Sequence, residues 1–369
     1  MADTFPLPIV GVLKESAPGE RRVALTPPDI GRLAKRVSVL VERGAGAEAG
    51  YPDSAYAEAG AKLADRSATI AAAQVLLAIR APDDLARFPS GVVLASLGGR
   101  DTAVEDSARA HGIRHLGLER LPRTTRAQAM DVLSSQATVA GYAAVIEGAR
   151  ALDSLLPMLT TAAGTVKPAK MIALGAGVAG LQAIATARRL GAVVHGFDVR
   201  DVAREQVESL GARFISLGEA QEAQETANGY AGEQTLDKQA ALRRALTSAL
   251  ADMQLIVTSA QIPGRRAPLL IDDETLAALK PGTVIVDLAA DTGGNTSRTQ
   301  PEQTLVVGGV TILGSSNLPS LMAGDASRLW SSNMRALLEH LVSEAGDLRL
   351  DDPITSALLG VEDVQRSAA

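Results

Sequence analysis

The sequence contains no cysteine, which excludes disulfides, thiolate nucleophiles and thiolate metal sites while leaving the redox compartment open. Aromatic residues are almost as scarce, at 2%. The core must therefore be assembled from Ala, Val, Leu and Ile, a mix that suits buried parallel strands covered by Ala-rich helices. An excess of basic charge is also missing: 36 Lys and Arg against 42 Asp and Glu give a net charge of -6. With no basic stripe interleaved with aromatics, a nucleic-acid partner is excluded. Of the 4 histidines, His111 and His115 sit one helical turn apart, but no acidic group completes a metal set; they read as solvated or capping residues, and no metal is expected. The start MADTFPLP lacks the basic and apolar regions of a secretory signal. The most apolar stretch, Met171 to Ala187, is broken by Gly175, Gly177 and Gly180 and falls short of the roughly 20 residues of a membrane span. The chain is expected to be soluble and not inserted in a membrane, any membrane role coming through a partner.

What is present is length and alternation. A chain of 369 residues has room for two domains. Short apolar runs alternate with Ala-rich helical stretches, the signature of an α/β protein built from βαβ units. Early strands are expected at Ile9–Leu13, Val37–Glu42, Val75–Ile79 and Val92–Leu94. A long helix should start near Asp131 and reach Gly141 or Arg150. Later strands are expected at Met171–Leu174, Val193–Phe197, Leu255–Thr258, Val284–Asp287 and Val310–Leu313. Gly218 to Lys238 is rich in Glu, Gln, Ala and Gly without apolar periodicity and reads as a functional loop or insert. The domains are placed at 1–133 and 134–316, with 317–369 returning to complete the first.

The most informative motif follows the strand ending at Leu174. Gly175-x-Gly177-x-x-Gly180 opens a helix that runs to Leu190, Gly191 stands past its end, and the next strand finishes at Asp198. Gly175 permits the tight turn, Gly177 lets the backbone approach a pyrophosphate, and Gly180 allows close packing of helix on strand. The helix N-terminus offers N–H groups and positive dipole potential to phosphates. Asp198 can accept hydrogen bonds from ribose hydroxyls and would repel a 2′-phosphate, which favours NAD over NADP, although Arg200 nearby argues the other way. The bland alternative is glycines that merely serve packing. Val37–Glu42 followed by Gly44-Ala45-Gly46 imitates the motif, but Pro52 and the short Ser54–Ala59 stretch leave little room for a crossover helix; it reads as a structural turn.

Other polar groups are candidates for chemistry. Arg123, Gln128, Asp131 and Ser134 form a cluster expected between the domains, the last three on one helical face. A carboxamide, a carboxylate and a hydroxyl can hold a nicotinamide carboxamide, and Arg123 can bind a phosphate or steady Asp131. The equal alternative is a capped helix start. Ser259 to Gly264 and Ala289 to Asn295 follow strands, where open α/β sheets bind ligands. Tyr230 beside Gly229 is either a lid residue or an exposed loop tyrosine.

The combination of Arg126–Gln136 (RAQAMDVLSSQ), Met158–Val166 (MLTTAAGTV), Gly175–Ala187 (GAGVAGLQAIATA), Asp198-Val-Arg200 and Glu205–Gly211 (EQVESLG) resembles the NAD(H)-binding component of proton-translocating nicotinamide nucleotide transhydrogenase. Lys14-Glu15, Pro18-Gly19-Glu20, Arg22–Pro27 (RVALTP), Asp287-Leu-Ala289 and Gly293-Gly-Asn295 extend the resemblance over nearly the whole chain. It implies two Rossmann-like domains with mostly parallel sheets, a deep interdomain cleft and a homodimer. It also implies hydride exchange between NAD(H) held here and NADP(H) on a partner component, with proton movement through a membrane-spanning subunit and location on the cytoplasmic face of the membrane. By the same resemblance Arg123, Gln128, Asp131 and Ser134 orient the nicotinamide. Gly175, Gly177, Val178 and Gly180 take the pyrophosphate, and Asp198, Val199 and Arg200 the adenosine. Gly229 and Tyr230 sit on a closing loop, and Gln239, Ser259, Ala260 and Gln261 line the cleft.

The sequence departs from that family where Ala78 replaces a lysine, Gln261 an apolar residue and Asp291 a glutamate, and where the Gly218–Lys238 loop is short. Two other functions are therefore weighed. Alanine dehydrogenase, a relative, needs a proton donor as well as a hydride; the lysine and histidine that such enzymes use correspond here to Ala78 on the third strand and Ser96 on the next. Direct exchange between two nicotinamides needs orientation and no general acid or base. A non-catalytic NAD-binding regulator is the third possibility.

Overall fold

The computed structural model describes residues 7–217, 236–262 and 264–360, with the side chains of 236–240 outside that description. The chain divides into two compact units, one made of residues up to Gln136 together with those from Ser320, the other of Ala137–Pro319.

The first unit holds a six-stranded sheet of β1 (Ile9–Val12), β2 (Ser38–Glu42), β3 (Lys62–Ala64), β4 (Val75–Arg80), β5 (Val93–Leu97) and β6 (Arg114–Gly117), in the order β3-β2-β1-β4-β5-β6. Every pairing is parallel. β4 is buried over nearly its whole length, as expected of a strand covered on both faces. The aromatic-poor core has few exceptions to its aliphatic make-up, and the largest is Trp330, the sole tryptophan, which is 0% exposed. It lies on the helix Ala323–Leu341, which buries an apolar stripe of Trp330, Met334, Leu337, Leu338 and Leu341. Serines on the same helix satisfy the backbone of the segment after β1: Val23 N donates to Ser327 Oγ at 2.9 Å and Thr26 N to Ser331 Oγ at 2.9 Å. The glycine pair after β2 is indeed structural. A Cβ on Gly46 would stand 2.5 Å from Tyr56 Oη, and only a 3-10 turn at Ala47–Ala49 and the helix Asp53–Glu58 follow.

The second unit holds β9 (Lys170–Leu174), β10 (Val193–Phe197), β11 (Arg213–Phe214), β12 (Leu255–Thr258), β13 (Val284–Asp287), β14 (Thr304–Val307) and β15 (Val310–Gly314). They form a seven-stranded sheet in the order β11-β10-β9-β12-β13-β15-β14, parallel except for β14. A separate antiparallel hairpin of β7 (Leu159–Thr161) and β8 (Gly164–Val166) is exposed at every residue.

The structure corrects several expectations. β3, β6, β11, β14 and the hairpin are additional strands, so Ala78 lies on the fourth strand in chain order and not the third. The long helix runs from Val132 to Ala151. Asp131 lies just ahead of it, and Gln128 belongs to a separate 3-10 turn, Gln128–Met130, so Gln128, Asp131 and Ser134 do not share one helical face. His115 is neither solvated nor a cap. It is 4% exposed on β6, with Nε2 2.9 Å from Ser96 Oγ and Nδ1 2.6 Å from Glu105 Oε1, and Glu105 in turn pairs with Arg120 at 3.1 Å. Serine, histidine and glutamate in a row imitate a hydrolytic set, but Ser96 is 0% exposed, so the string ties the helix Thr102–Ala110 to the sheet.

Candidate functional site

The glycine turn is assembled by the strands beside it. Gly175, at φ +99, leaves β9 and donates its N–H to Phe197 O at 2.8 Å. A side chain there would meet Ser259 Oγ at 2.9 Å, so both the backbone angle and the space require glycine. Gly177 begins the helix Val178–Arg189 with no side chain capping it, and a Cβ on Gly177 would find nothing within 4 Å. Gly180 is the reverse case: its Cβ would fall 1.8 Å from Gly175 O. The turn is therefore closed from inside by Gly180 and open at Gly177. Val178 beside it is 45% exposed, at a helix end whose unpaired N–H groups and dipole favour an anion.

Asp198, at the end of β10, is 6% exposed. Its Oδ2 accepts from Ala176 N at 2.8 Å, which ties the acid to the turn, and from Arg200 Nη2 at 3.0 Å. Its Oδ1 accepts from Arg200 N and Nε, both at 2.9 Å. The carboxylate assigned to ribose hydroxyls is thus already held by Arg200, and Val199 between them is half-buried against the core of this sheet. On the other side of the turn Ser259 N donates to Leu174 O at 2.9 Å and Ser259 Oγ to Gly175 O at 3.2 Å. Ala260 and Gln261 follow, with Gln261 Nε2 donating to Leu288 O at 3.0 Å. The structure therefore brings Gly175, Gly177, Val178, Gly180, Asp198, Val199, Arg200, Ser259, Ala260 and Gln261 to the carboxyl ends of β9, β10 and β12. Gly229 and Tyr230 lie outside the described residues, as does the side chain of Gln239.

In the first unit, Asp131 caps the long helix: its Oδ1 accepts from Ser134 N at 3.0 Å and its Oδ2 from Ser134 Oγ at 2.6 Å. Two of the four sequence candidates are thus joined as a helix start, while Arg123 and Gln128 are exposed. Each of the four histidines has a structural place. His111 ends a helix against Ser107 O, His115 joins Ser96 and Glu105, His195 is buried on β10, and His340 meets Asp352.

Sequence reasoning missed an ionic cluster at the ends of β1 and β4. Arg22, 4% exposed, donates through Nε and Nη2 to the two oxygens of Glu20 at 2.7 and 2.6 Å, and through Nη1 to Gln136 Oε1 at 2.9 Å. Burial opposes the Glu20 charge, but the Arg22 bonds outweigh it and hold this carboxyl below its ordinary range. Glu15 turns its carboxyl inward to accept from Ile79 N at 2.7 Å and Arg80 N at 3.2 Å. Burial pushes the Glu15 carboxyl up to about 7, against the pull of those two N–H groups and with Glu20 adding to the rise. Because the folded value lies above the ordinary one, the stabilising form is the protonated one, complete below pH 4.5 and lost as pH rises through about 7. On the order of 3 kcal/mol is at stake. Thermal unfolding followed from pH 4 to 8 should show wild type losing stability between about pH 4.5 and 7 and levelling off above, with Glu15→Gln losing much less; parallel profiles would refute the assignment. The only signal in the sequence was two glutamates, Glu15 and Glu20, and two arginines, Arg21 and Arg22, close to the end of β1.

Among the described residues no group of three metal-binding side chains is assembled and no helix is long and apolar enough to cross a membrane. A Rossmann-type parallel sheet in each unit, one of them carrying a dinucleotide-type glycine turn, defines a Rossmann-fold oxidoreductase class. The family descriptions "Alanine dehydrogenase/PNT, N-terminal domain" and "Alanine dehydrogenase/PNT, C-terminal domain" match residues 11–140 and 144–365. The chain is 43% identical over 340 residues to an NAD(P) transhydrogenase subunit alpha protein of Rhodospirillum rubrum, covering 88% of each chain. It is 30% identical over 370 residues to alanine dehydrogenase of Halomonas elongata, covering 96% of this chain and 93% of that one. The crystal structure of transhydrogenase from Sinorhizobium meliloti superposes with a TM-score of 0.81 at 40% identity, over 91% of this chain and 95% of that one. The chain belongs to the alanine dehydrogenase/PNT family and, within it, is a homologue of the transhydrogenase alpha subunits.

Proposed function

We propose that this protein is the NAD(H)-binding subunit of a proton-translocating transhydrogenase, exchanging hydride with NADP(H) held on a partner component. The observation that carries the reading is the open cradle at Gly177, an uncapped helix start with space where a side chain would be. A pyrophosphate fits there because it supplies the acceptors that the helix end lacks. NAD(H) bound at this turn supplies the hydride. The chain's own contribution is to bind and orient: Gly177 and Val178 at the phosphates, Asp198 and Arg200 at the adenosine, Arg123 and Gln128 at the nicotinamide. Asp131 and Ser134 fix the helix start beside Gln128, whose carbonyl accepts from Asp131 N at 3.2 Å. Direct exchange between nicotinamides calls for no acid or base at the reacting carbons, which agrees with four histidines all held in structural places. A second copy of this chain, a membrane-spanning proton-channel subunit and an NADP(H)-binding subunit complete the assembly, on the cytoplasmic face of the membrane. The exposed β7–β8 hairpin supports the homodimer.

Amino-acid dehydrogenation is less well supported. The three nitrogens of Arg22 are engaged by Glu20 and Gln136, Ala78 is 1% exposed, and Ser96 is buried against His115. The test is hydride transfer from NADH to an NADP⁺ analogue with a purified NADP(H)-binding component, beside a cuvette holding pyruvate and ammonium. Turnover is expected only with the protein partner, and Gln128→Asn should lower it by roughly ten- to a hundred-fold, the effect of a misplacement of about 1 Å. Turnover only with pyruvate and ammonium would replace this reading by the dehydrogenase one. NADH binding with silence in both would favour a regulator, and a full rate in Gln128→Asn would remove that residue's role.

A further inference from the structure

The loop that walls the glycine turn is held by a residue well outside it. Asn295 is 0% exposed, and its side chain bonds both ends of the excursion that begins at Ala260. Its Oδ1 accepts from Ala260 N at 3.2 Å, and its Nδ2 donates to Ala260 O at 2.9 Å and to Pro268 O at 2.8 Å. Its backbone is fixed as firmly. Asn295 N donates to Asp287 Oδ2 at 2.7 Å, and Asn295 O accepts from Leu270 N and Ile271 N at 2.9 and 3.0 Å. Asp287, itself 0% exposed at the end of β13, also takes Ala289 N at 2.9 Å and Thr299 Oγ1 at 2.6 Å. Asn295 is therefore a rigid pin between the loops that follow β12 and β13, and the first of those loops bears on Gly175 through Ser259.

We infer that Asn295 is a positioning residue that sets the Ser259–Gln261 loop against the glycine turn, and so governs the part of the dinucleotide beyond the adenosine. The inference rests on the NAD(H) reading of that turn. It predicts a split between ligands. β10 and β12 flank β9 on opposite sides, so Asp198 and Arg200 on the β10 side hold the adenosine half, while the pinned loop stands on the β12 side. Asn295→Asp keeps the shape but sets a carboxylate oxygen against the Ala260 and Pro268 carbonyls, which should spring the loop from its seat.

Binding of NADH and of AMP should be titrated on the whole chain, well below the melting temperature of each variant. Asn295→Asp is expected to weaken NADH by about ten-fold or more, the size of a buried hydrogen-bond set lost, with AMP unchanged. Should that variant not fold, Asn295→Ser, which removes the bonds without adding charge, is read the same way. Equal weakening of both ligands would make Asn295 a general structural residue and overturn the inference. So would an unchanged NADH affinity. Wild-type protein that binds neither probe would overturn the reading of the turn, and this inference with it.

Discussion

Alanine at Gly177 should leave folding untouched while weakening NADH by roughly ten- to a hundred-fold, about 1.4–2.7 kcal/mol. No protein atom lies within 4 Å of the Cβ it would add, so the melting temperature has no reason to move. The methyl enters only the space assigned to a pyrophosphate. Gly180→Ala is the counterpart. Its Cβ would sit 1.8 Å from Gly175 O and 2.9 Å from Gly175 C, so the helix must retreat from the strand. Overpacking of this kind costs about 1–3 kcal/mol or more, and NADH affinity should fall with it. Calorimetric titration and thermal unfolding of both variants separate the two cases. Wild-type affinity in Gly177→Ala would mean that no ligand approaches this turn. Wild-type stability in Gly180→Ala would mean that the turn adjusts and that its glycine is not required by packing.

The second large effect concerns self-association. Residues 157–167 are all exposed, among them Met158 at 64%, Leu159 at 46% and Val166 at 47%. A two-stranded hairpin is marginal by itself in water, and apolar residues gathered on such an element mark an interface. In the homodimer proposed above, a second copy of the chain related by a two-fold axis would offer each hairpin the same cover that it receives. Replacing Leu159–Val166 by a short glycine link should therefore convert a dimer into a monomer, with association weakened by at least about a hundred-fold. Sedimentation velocity across a concentration series reads this directly. A shortened protein that stays dimeric would transfer the interface elsewhere, and a monomeric wild type would end the dimer reading altogether.

Much of the second sheet was legible because each of its central strands is a short, mainly apolar run, and because glycines stand at the fixed offsets of a phosphate-type turn. The edges were not. β3 has three residues, none of them buried, β11 has only Arg213 and Phe214, and β14 alternates half-buried and exposed positions as an antiparallel edge strand does. β6 was hidden by its composition, Arg-His-Leu-Gly. A histidine in that run looks solvated until Glu105 and Ser96, brought in from 10 and 19 residues away, supply its partners. The same applies to the site. Gly175, Gly177 and Gly180 carry their roles in local spacing, whereas the pin at Asn295 depends on a loop 35 residues distant. Asp131 and Ser134 show the converse, where local spacing admitted both a cap and a ligand site and the side chains form the cap.

The two sheets share the strand order that places a crevice between the first strand and its crossover neighbour. In the second unit that crevice opens on glycine. In the first it is bridged by the chain's own charges, with Glu15 reaching from the end of β1 to the backbone of β4 and Glu20 pairing with Arg22 and, at 3.7 Å, with Arg80. The duplicated scaffold is therefore not a duplicated receptor: titration should saturate at one dinucleotide per polypeptide, and the bridged crevice serves as an internal anchor in which Glu20 and Arg22 keep their charges while Glu15 is pushed toward its neutral form.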